Sequence, residues 1–203
     1  MSAVLFKHYY TPEEYLALER EKLEGKAEYI DGQIFAMAGA SRKHILITVN
    51  IGRELSLQLK GRPGETYASE MRVKSTKSKA YFYPDISVVC GKPELEDSHN
   101  DTLTNPTLVI EVLSPSTEAF DRGGKFARYR RIESLLEYYL VSQDQALIEK
   151  YVRQGESWLL TEISGLDETV NLESIGCALA MKEVYDRVSD GFSDETDEPE
   201  IDP

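Results

Sequence analysis

Between Leu108 and Leu113 every side chain is apolar except one, the carboxylate of Glu111. A run that is apolar at both odd and even positions reads as a strand covered on both faces, the pattern of a central strand rather than an edge. An ionised glutamate is expensive in that setting, so Glu111 needs a cation, hydrogen-bond donors or a proton. A second run, from Tyr81 to Cys90, is aromatic and β-branched and also reads as a strand. It carries Asp85 directly after Pro84, which points to an edge, a bulge or a kink just before the carboxylate. On neighbouring strands Asp85 and Glu111 would repel each other, and a bound divalent cation is the simplest way to keep both ionised. The structural alternative is that Asp85 bonds to backbone at a strand end while Glu111 pairs with an arginine.

The chain continues Ser114-Pro115-Ser116-Thr117, turn chemistry that ends the strand and offers N-cap hydroxyls, and a helix is expected to carry Lys125 to Arg131. The strand-to-helix order lets Lys125 fold back over the carboxyl end of the strand, close to Glu111. An ammonium there can orient an attacking water or neutralise charge building on a phosphate. Arg122, Arg128, Arg130 and Arg131 surround it with positive charge suited to a nucleic-acid backbone. The competing reading is a solvated amphipathic helix with Phe126 and Tyr129 turned inward.

Pro84-Asp85, then Glu111-Val112-Leu113, then Lys125 together resemble the PD-(D/E)xK nuclease superfamily. More narrowly, YPDISVVC and NPTLVIEVLSPSTEAFDRGGKFARYR are similar to the Uma family of putative restriction endonucleases, and the resemblance runs from about Tyr10 to about Ala180. The usual acid-x-lysine would place lysine at position 113, where this chain has Leu113. Uma members resemble this sequence in carrying the lysine on the next helix, which gives Lys125 the role by position. The resemblance implies an α+β, restriction-endonuclease-like mixed central sheet flanked by helices. It also implies a catalytic set of Asp85, Glu111, Lys125 and Glu28, with Asp85, Glu111 and the Val112 carbonyl holding the metal. Because all these ligands are oxygens, the expected ion is Mg²⁺, or Mn²⁺ in its place. The expected substrate is nucleic acid, with DNA ahead of RNA, and the resemblance implies a homodimer that cuts both strands. Read without the resemblance, Glu28 is an ordinary strand residue beside an Asp31-Gly32 type I′ hairpin turn.

Two other roles stay open on the same fold: a non-catalytic nucleic-acid or protein-interaction module, and an acidic DNA mimic. The second is motivated by the net charge of −13. Much of that charge is local, because residues 183–203 hold nine acidic side chains against Arg187 alone, leaving −5 for the rest of the chain. Residues 190–203 read as an acidic, disordered tail and residues 1–189 as a single domain, a size at which one core is the default. No run of eighteen apolar residues and no signal-peptide pattern occurs, so the expectation is a soluble, cytoplasmic protein without membrane contact. Cys90 and Cys177 sit in apolar contexts and are expected to be buried thiols.

The remaining pattern supplies the frame. Thr11-Pro12-Glu13-Glu14 is a capping box opening a helix to about Lys22. Ser41 introduces a helix to about Lys60, with Ile45, Val49, Leu55 and Leu59 on its apolar face. Strands are expected at 66–74, 81–90, 138–142, 146–153 and 157–163, with Tyr138 and Tyr139 on opposite sheet faces, and a short helix at 181–188. His44, on the long helix, reads as structural, with contact to phosphate or proton transfer as the alternative. Glu70, on the 66–74 strand, reads as a solvated residue or an outer acid of the site.

Overall fold

A computed structural model describes residues 9–188 and Phe192. The chain opens with α1 (Pro12–Glu21), capped reciprocally: Thr11 Oγ1 accepts from the Glu14 N–H at 3.1 Å, and Glu14 Oε2 accepts from the Thr11 N–H at 2.7 Å. Strands β1 (Ala27–Ile30) and β2 (Gln33–Ala36) form a two-residue hairpin. Asp31 and Gly32 both have positive φ, 47° and 89°, as a type I′ turn requires. Helix α2 (Arg42–Leu59) follows, with Ser41 as N-cap.

Strands β3 (Gly64–Ala68), β4 (Arg72–Ser75), β5 (Ala80–Phe82), β6 (Ile86–Cys90), β7 (Thr102–Leu103) and β8 (Leu108–Val112) come next. The helical crossover comprises α3 (Glu118–Phe120), a π turn over Asp121–Lys125, and α4 (Phe126–Tyr129). Beyond it lie β9 (Glu137–Val141), β10 (Leu147–Gln154), β11 (Ser157–Ser164), β12 (Thr169–Leu172), β13 (Cys177–Ala180) and α5 (Met181–Val184).

The central sheet has six strands in the order β11-β10-β9-β8-β6-β3, and β8 and β9 run parallel. A parallel neighbour needs a crossover, which the helical segment 118–129 provides. A second, five-stranded sheet has the order β2-β1-β5-β4-β7. On one face of the central sheet, Ile86, Val88, Leu108, Ile110 and Val112 pack with Ile47, Ile51 and Leu55 of α2 and with the β12–β13 hairpin and α5. On the other face, Val89, Val109, Tyr138 and Leu140 pack against Ile30, Val73, Phe82 and Leu103 of the second sheet and Tyr129 of α4. Burial on both faces is what the unbroken apolar run around Glu111 called for.

Four expectations need correction. The buried stripe of α2 is Ile47, Ile51, Leu55 and Leu59, whereas Ile45 and Val49 are exposed. Leu55 and Leu59 fit the i, i+4 series that starts at Ile47, and Ile45 and Val49 are two residues out of phase with it. The stretch 66–74 is two strands, because a turn at Ser69-Glu70 carries the chain from the central sheet to the second, leaving Glu70 exposed and paired with Lys26. The stretch 81–90 divides likewise at Tyr83-Pro84-Asp85, where Pro84 offers no ladder N–H and the chain returns to the central sheet. Cys90 is exposed: it ends β6, past the layer that buries Val88, while Cys177 is buried as expected, and both thiols are free. The β12–β13 hairpin was not anticipated from the sequence. Tyr138 and Tyr139 do divide between the two faces. The acidic stretch 190–203 lies, Phe192 apart, outside the described residues.

Candidate active site

Strands β6 and β8 pair antiparallel with Ile86 opposite Ile110, so Asp85, directly before β6, and Glu111, directly after Ile110, lie at the same end of the strand pair. Alternation along β8 turns Leu108, Ile110 and Val112 toward α2, and turns Glu111 toward the helical crossover. Asp121, Lys125 and Tyr129 lie four residues apart on that crossover and converge on Glu111. Lys125 Nζ stands 3.0 Å from Glu111 Oε1, 3.1 Å from Glu28 Oε1 and 3.6 Å from Asp121 Oδ1. The Tyr129 hydroxyl donates to Glu111 Oε1 at 3.1 Å. The Tyr83 N–H donates to Glu28 Oε1 at 3.2 Å, which fixes the glutamate at the point where the chain changes sheets. Lys125, Glu111, Asp121 and Glu28 are all buried.

The π turn helps to make this convergence possible. Gly124 lies so close to Phe120 that a Cβ on it would fall 2.5 Å from the ring, so only glycine lets that ring close over the turn preceding Lys125. Phe82 contributes the apolar wall, with Lys125 Nζ 5.7 Å from its ring centre.

Asp85 is held separately. Its Oδ2 accepts from the Val112 N–H at 2.7 Å, and its Oδ1 lies 2.7 Å from His44 Nε2, which α2 delivers from the opposite side of the sheet. Asp85 thus bonds to backbone at a strand end, as the structural alternative expected, while Glu111 pairs with Lys125 and not with an arginine.

Burial pushes the Glu111 carboxyl well above the ordinary carboxylate range, and the charges of Asp121, Asp85 and Glu28 add to the effect against the opposing pull of Lys125. Burial raises Asp121 for the same reason, again opposed by Lys125. On Lys125 burial works downward, but Glu111, Glu28 and Asp121 together hold the ammonium charged and lift its pKa. Tyr129 is raised by burial and by Glu111, so its hydroxyl stays a hydrogen-bond donor. The neighbourhood has more negative than positive charge: four carboxylates against one lysine.

A hard divalent cation meets that electrostatic condition, and the donor set, carboxylates with a backbone carbonyl nearby, consists of oxygens. The residues therefore fit such an ion in chemistry, although among the described residues no three His, Cys, Asp or Glu side chains already surround a common point.

Residues 12–182 match the model of the family described as Uma2, putative restriction endonuclease. The chain belongs to this family. Among its relatives, the uncharacterized protein sll1609 of Synechocystis sp. (strain ATCC 27184 / PCC 6803 / Kazusa) is 42% identical over 156 residues, 76% of this chain and 88% of its own length. The uncharacterized protein slr1290 of the same organism is 38% identical over 176 residues, 86% of this chain and 90% of its own. A putative nuclease belonging to DUF820 from Anabaena variabilis ATCC 29413 has a similar crystal structure, with a TM-score of 0.70 at 21% identity over 86% of this chain and 97% of that one. At that identity the likeness concerns the fold, which is nuclease-like and restriction-endonuclease-like.

Within this Uma2 chain the sequence-expected residues divide. Glu28 and Glu111 both contact Lys125, and Asp85 is held apart from them by His44 and the Val112 N–H. Of the four arginines, Arg122 pairs with Glu118 and Glu149, and Arg128 pairs with Asp31 while donating to the Gly124 carbonyl. Arg130 and Arg131 are exposed, the former with its guanidinium 6.0 Å from the Phe126 ring. Sequence reasoning passed over Asp121, gave Tyr129 only a packing role, and read His44 as structural. The i, i+4, i+8 spacing of Asp121, Lys125 and Tyr129 was the available signal for the first two. Among the described residues no helix is long and apolar enough to cross a membrane.

Proposed function

We propose that this protein is a divalent-metal-dependent endonuclease, with Lys125 serving from the crossover helix as the lysine that the superfamily usually carries at the position of Leu113. The observation that carries the reading is the contact of one buried ammonium with Glu111, Glu28 and Asp121, with a further carboxylate, Asp85, bonded to the N–H of Val112, the residue after Glu111. Leu113 is buried in the apolar layer beneath the crossover, so a lysine there is replaced in function by one arriving from the helix above.

Asp85, Glu111 and the Val112 carbonyl would hold Mg²⁺ or Mn²⁺, with Glu28 linked through water. Such an ion supplies a Lewis acid for the phosphate and lowers the pKa of water at the site. Lys125 orients the attacking water and balances negative charge as it develops on the phosphate, an effect magnified by burial. Tyr129 and Asp121 keep the ammonium and Glu111 in register, and His44 fixes the Asp85 carboxylate. In-line attack on phosphorus breaks the bond to the 3′-oxygen and leaves a 5′-phosphate. Arg130 and Arg131 extend toward the nucleic-acid backbone, and two copies acting together would cut both strands of DNA.

The second reading is a non-catalytic nucleic-acid-binding module. It is favoured by one specific feature: Lys125 already stands between Glu111, Glu28 and Asp121, and both oxygens of Asp85 have partners. Supercoiled plasmid incubated with Mg²⁺, Mn²⁺ or EDTA distinguishes the two. The nuclease converts it to nicked or linear DNA only with metal, and Glu111→Gln abolishes the conversion. Retarded plasmid mobility in EDTA, with no conversion under any divalent ion, would establish the module instead.

A further inference from the structure

The β1–β2 hairpin links the buried cluster around Lys125, through Glu28, to the outer strand of the second sheet. Tyr29 and its cross-strand partner Ile34 turn toward α1 and pack with Tyr15 and Tyr81, whereas Ile30 turns the other way, into the layer that holds Phe82 and Tyr129. Glu28 shares the face of Ile30 and touches Lys125. Its cross-strand partner is Phe35, and directly opposed side chains of an antiparallel pair lie on one face with Cβ atoms about 5 Å apart.

Phe35 is nonetheless 47% exposed, while Phe82, Phe120, Phe126 and Phe192 are buried or half-buried. It stands on β2, the outer strand of its sheet. The hairpin is tied to the crossover by Glu28 with Lys125 and by Asp31 with Arg128 at 2.8 Å. The chain then runs through exposed Ala36, Ala38, Gly39 and Ala40 into α2, where His44 reaches Asp85. This uncharged stretch therefore runs from the strand paired with that of Glu28 to the helix that carries His44. It offers no cation to a phosphate until Arg42; what it offers is a flat aromatic face on a rigid support.

Resting on the nuclease reading, we infer that Phe35 is a stacking platform for one unpaired nucleobase next to the cleaved phosphate, which makes single-stranded nucleic acid the preferred substrate. A ring outside the core clusters of the described residues, on the strand position opposite Glu28, suits the π-face of any base, whereas a base held in a duplex stack does not present that face.

The test is equilibrium binding of a single-stranded DNA oligonucleotide carrying one 2-aminopurine, in Ca²⁺ buffer with the full chain, read by fluorescence of the probe base. Wild type and Phe35→Trp should bind with a change in probe fluorescence. Phe35→Ala and Phe35→Leu should bind the single strand roughly 5- to 150-fold more weakly, with affinity for the fully paired duplex changed by about twofold or less. The leucine variant keeps apolar bulk without a ring, and unchanged melting temperatures would show that both variants are folded. Equal single-strand affinity for wild type and Phe35→Ala overturns the inference, as does a wild type that binds no single strand. Cleavage of the single strand separates this from the parent reading. Single-strand cleavage unaffected in affinity or rate by Phe35→Ala removes the stacking role and leaves the nuclease, whereas stacking without cleavage of single strand or plasmid under any metal does the reverse.

Discussion

Replacing Lys125 by methionine keeps an unbranched side chain of similar length but deletes the ammonium that faces Glu111, Glu28 and Asp121 at 3.0, 3.1 and 3.6 Å. At an effective dielectric of about 20, a contact near 3 Å corresponds to roughly 5 kcal/mol of Coulomb energy, much of it consumed by desolvating the ions. Breaking such a buried set from one side leaves uncompensated carboxylates, and the expected net loss is about 3–5 kcal/mol of stability. The loss depends on pH. Glu111 and Asp121 are already raised by burial, and without Lys125 they rise further. A carboxyl with a folded pKa above its unfolded value makes the native state bind more protons, so stability falls as pH rises between those two values. The variant should therefore be most impaired at alkaline pH and recover as falling pH lets both groups take up protons. Adding Glu111→Gln removes one of the stranded charges and should restore part of the loss. Urea denaturation followed by the fluorescence of Trp158, the chain's one tryptophan, measures wild type and both variants. Under conditions where Lys125→Met is folded, plasmid cleavage should be at least about 10²-fold slower than wild type, roughly 2.7 kcal/mol of transition-state stabilisation. A stability loss under about 1 kcal/mol, or one that grows toward acid, would refute the electrostatic account of this cluster.

His44→Ala should free Asp85 Oδ1 and lower Mn²⁺ affinity or cleavage by about 10- to 100-fold, the usual effect of losing a partner that orients a metal-binding group, with partial recovery in His44→Gln; calorimetric titration and plasmid assays read both. Asp101 accepts from Arg20 at 2.8 Å and pairs with the buried Arg72, and these arginines hold its pKa below the usual carboxylate range. Its contribution is full above the unfolded value near 3.9 and is lost as pH falls through the depressed one, so Asp101→Asn should cost about 2–3 kcal/mol at pH 7 and progressively less below pH 4. Arg130→Ala should weaken DNA binding and reduce its salt slope by about one, whereas Arg122→Ala and Arg128→Ala should appear mainly in melting temperature because those arginines bridge to Glu149 and Asp31.

Local chemistry carried far into the fold. The Thr11 box, the Asp31-Gly32 turn and the doubly apolar strand of Glu111 each specify their own conformation from a few neighbouring residues, and each is found where the pattern puts it. What was not legible depends on partners distant in sequence. The phase of α2 is decided by the sheet it covers, so Ile47 rather than Ile45 is buried, and the sheet changes at Ser69-Glu70 and Pro84 follow from which layer has room for the next strand. Within the site, carboxylates isolated in apolar strands pointed to Asp85 and Glu111, and chain order pointed to Lys125. Asp121 was masked by the adjacent arginine and glycines of the π turn. The bond of His44 to Asp85 spans 41 residues and two sides of a sheet, a relation that no periodicity in α2 expresses.

Crystals of the full chain grown with Mn²⁺ and measured at an anomalous wavelength test most directly whether this constellation is a metal-dependent phosphodiesterase centre. The account predicts a manganese peak between Asp85 and Glu111, within coordinating distance of the Val112 carbonyl and absent in Glu111→Gln crystals. Manganese only at surface carboxylates, with Lys125 still in contact with Glu111 and Glu28 and no peak beside Asp85, would contradict it.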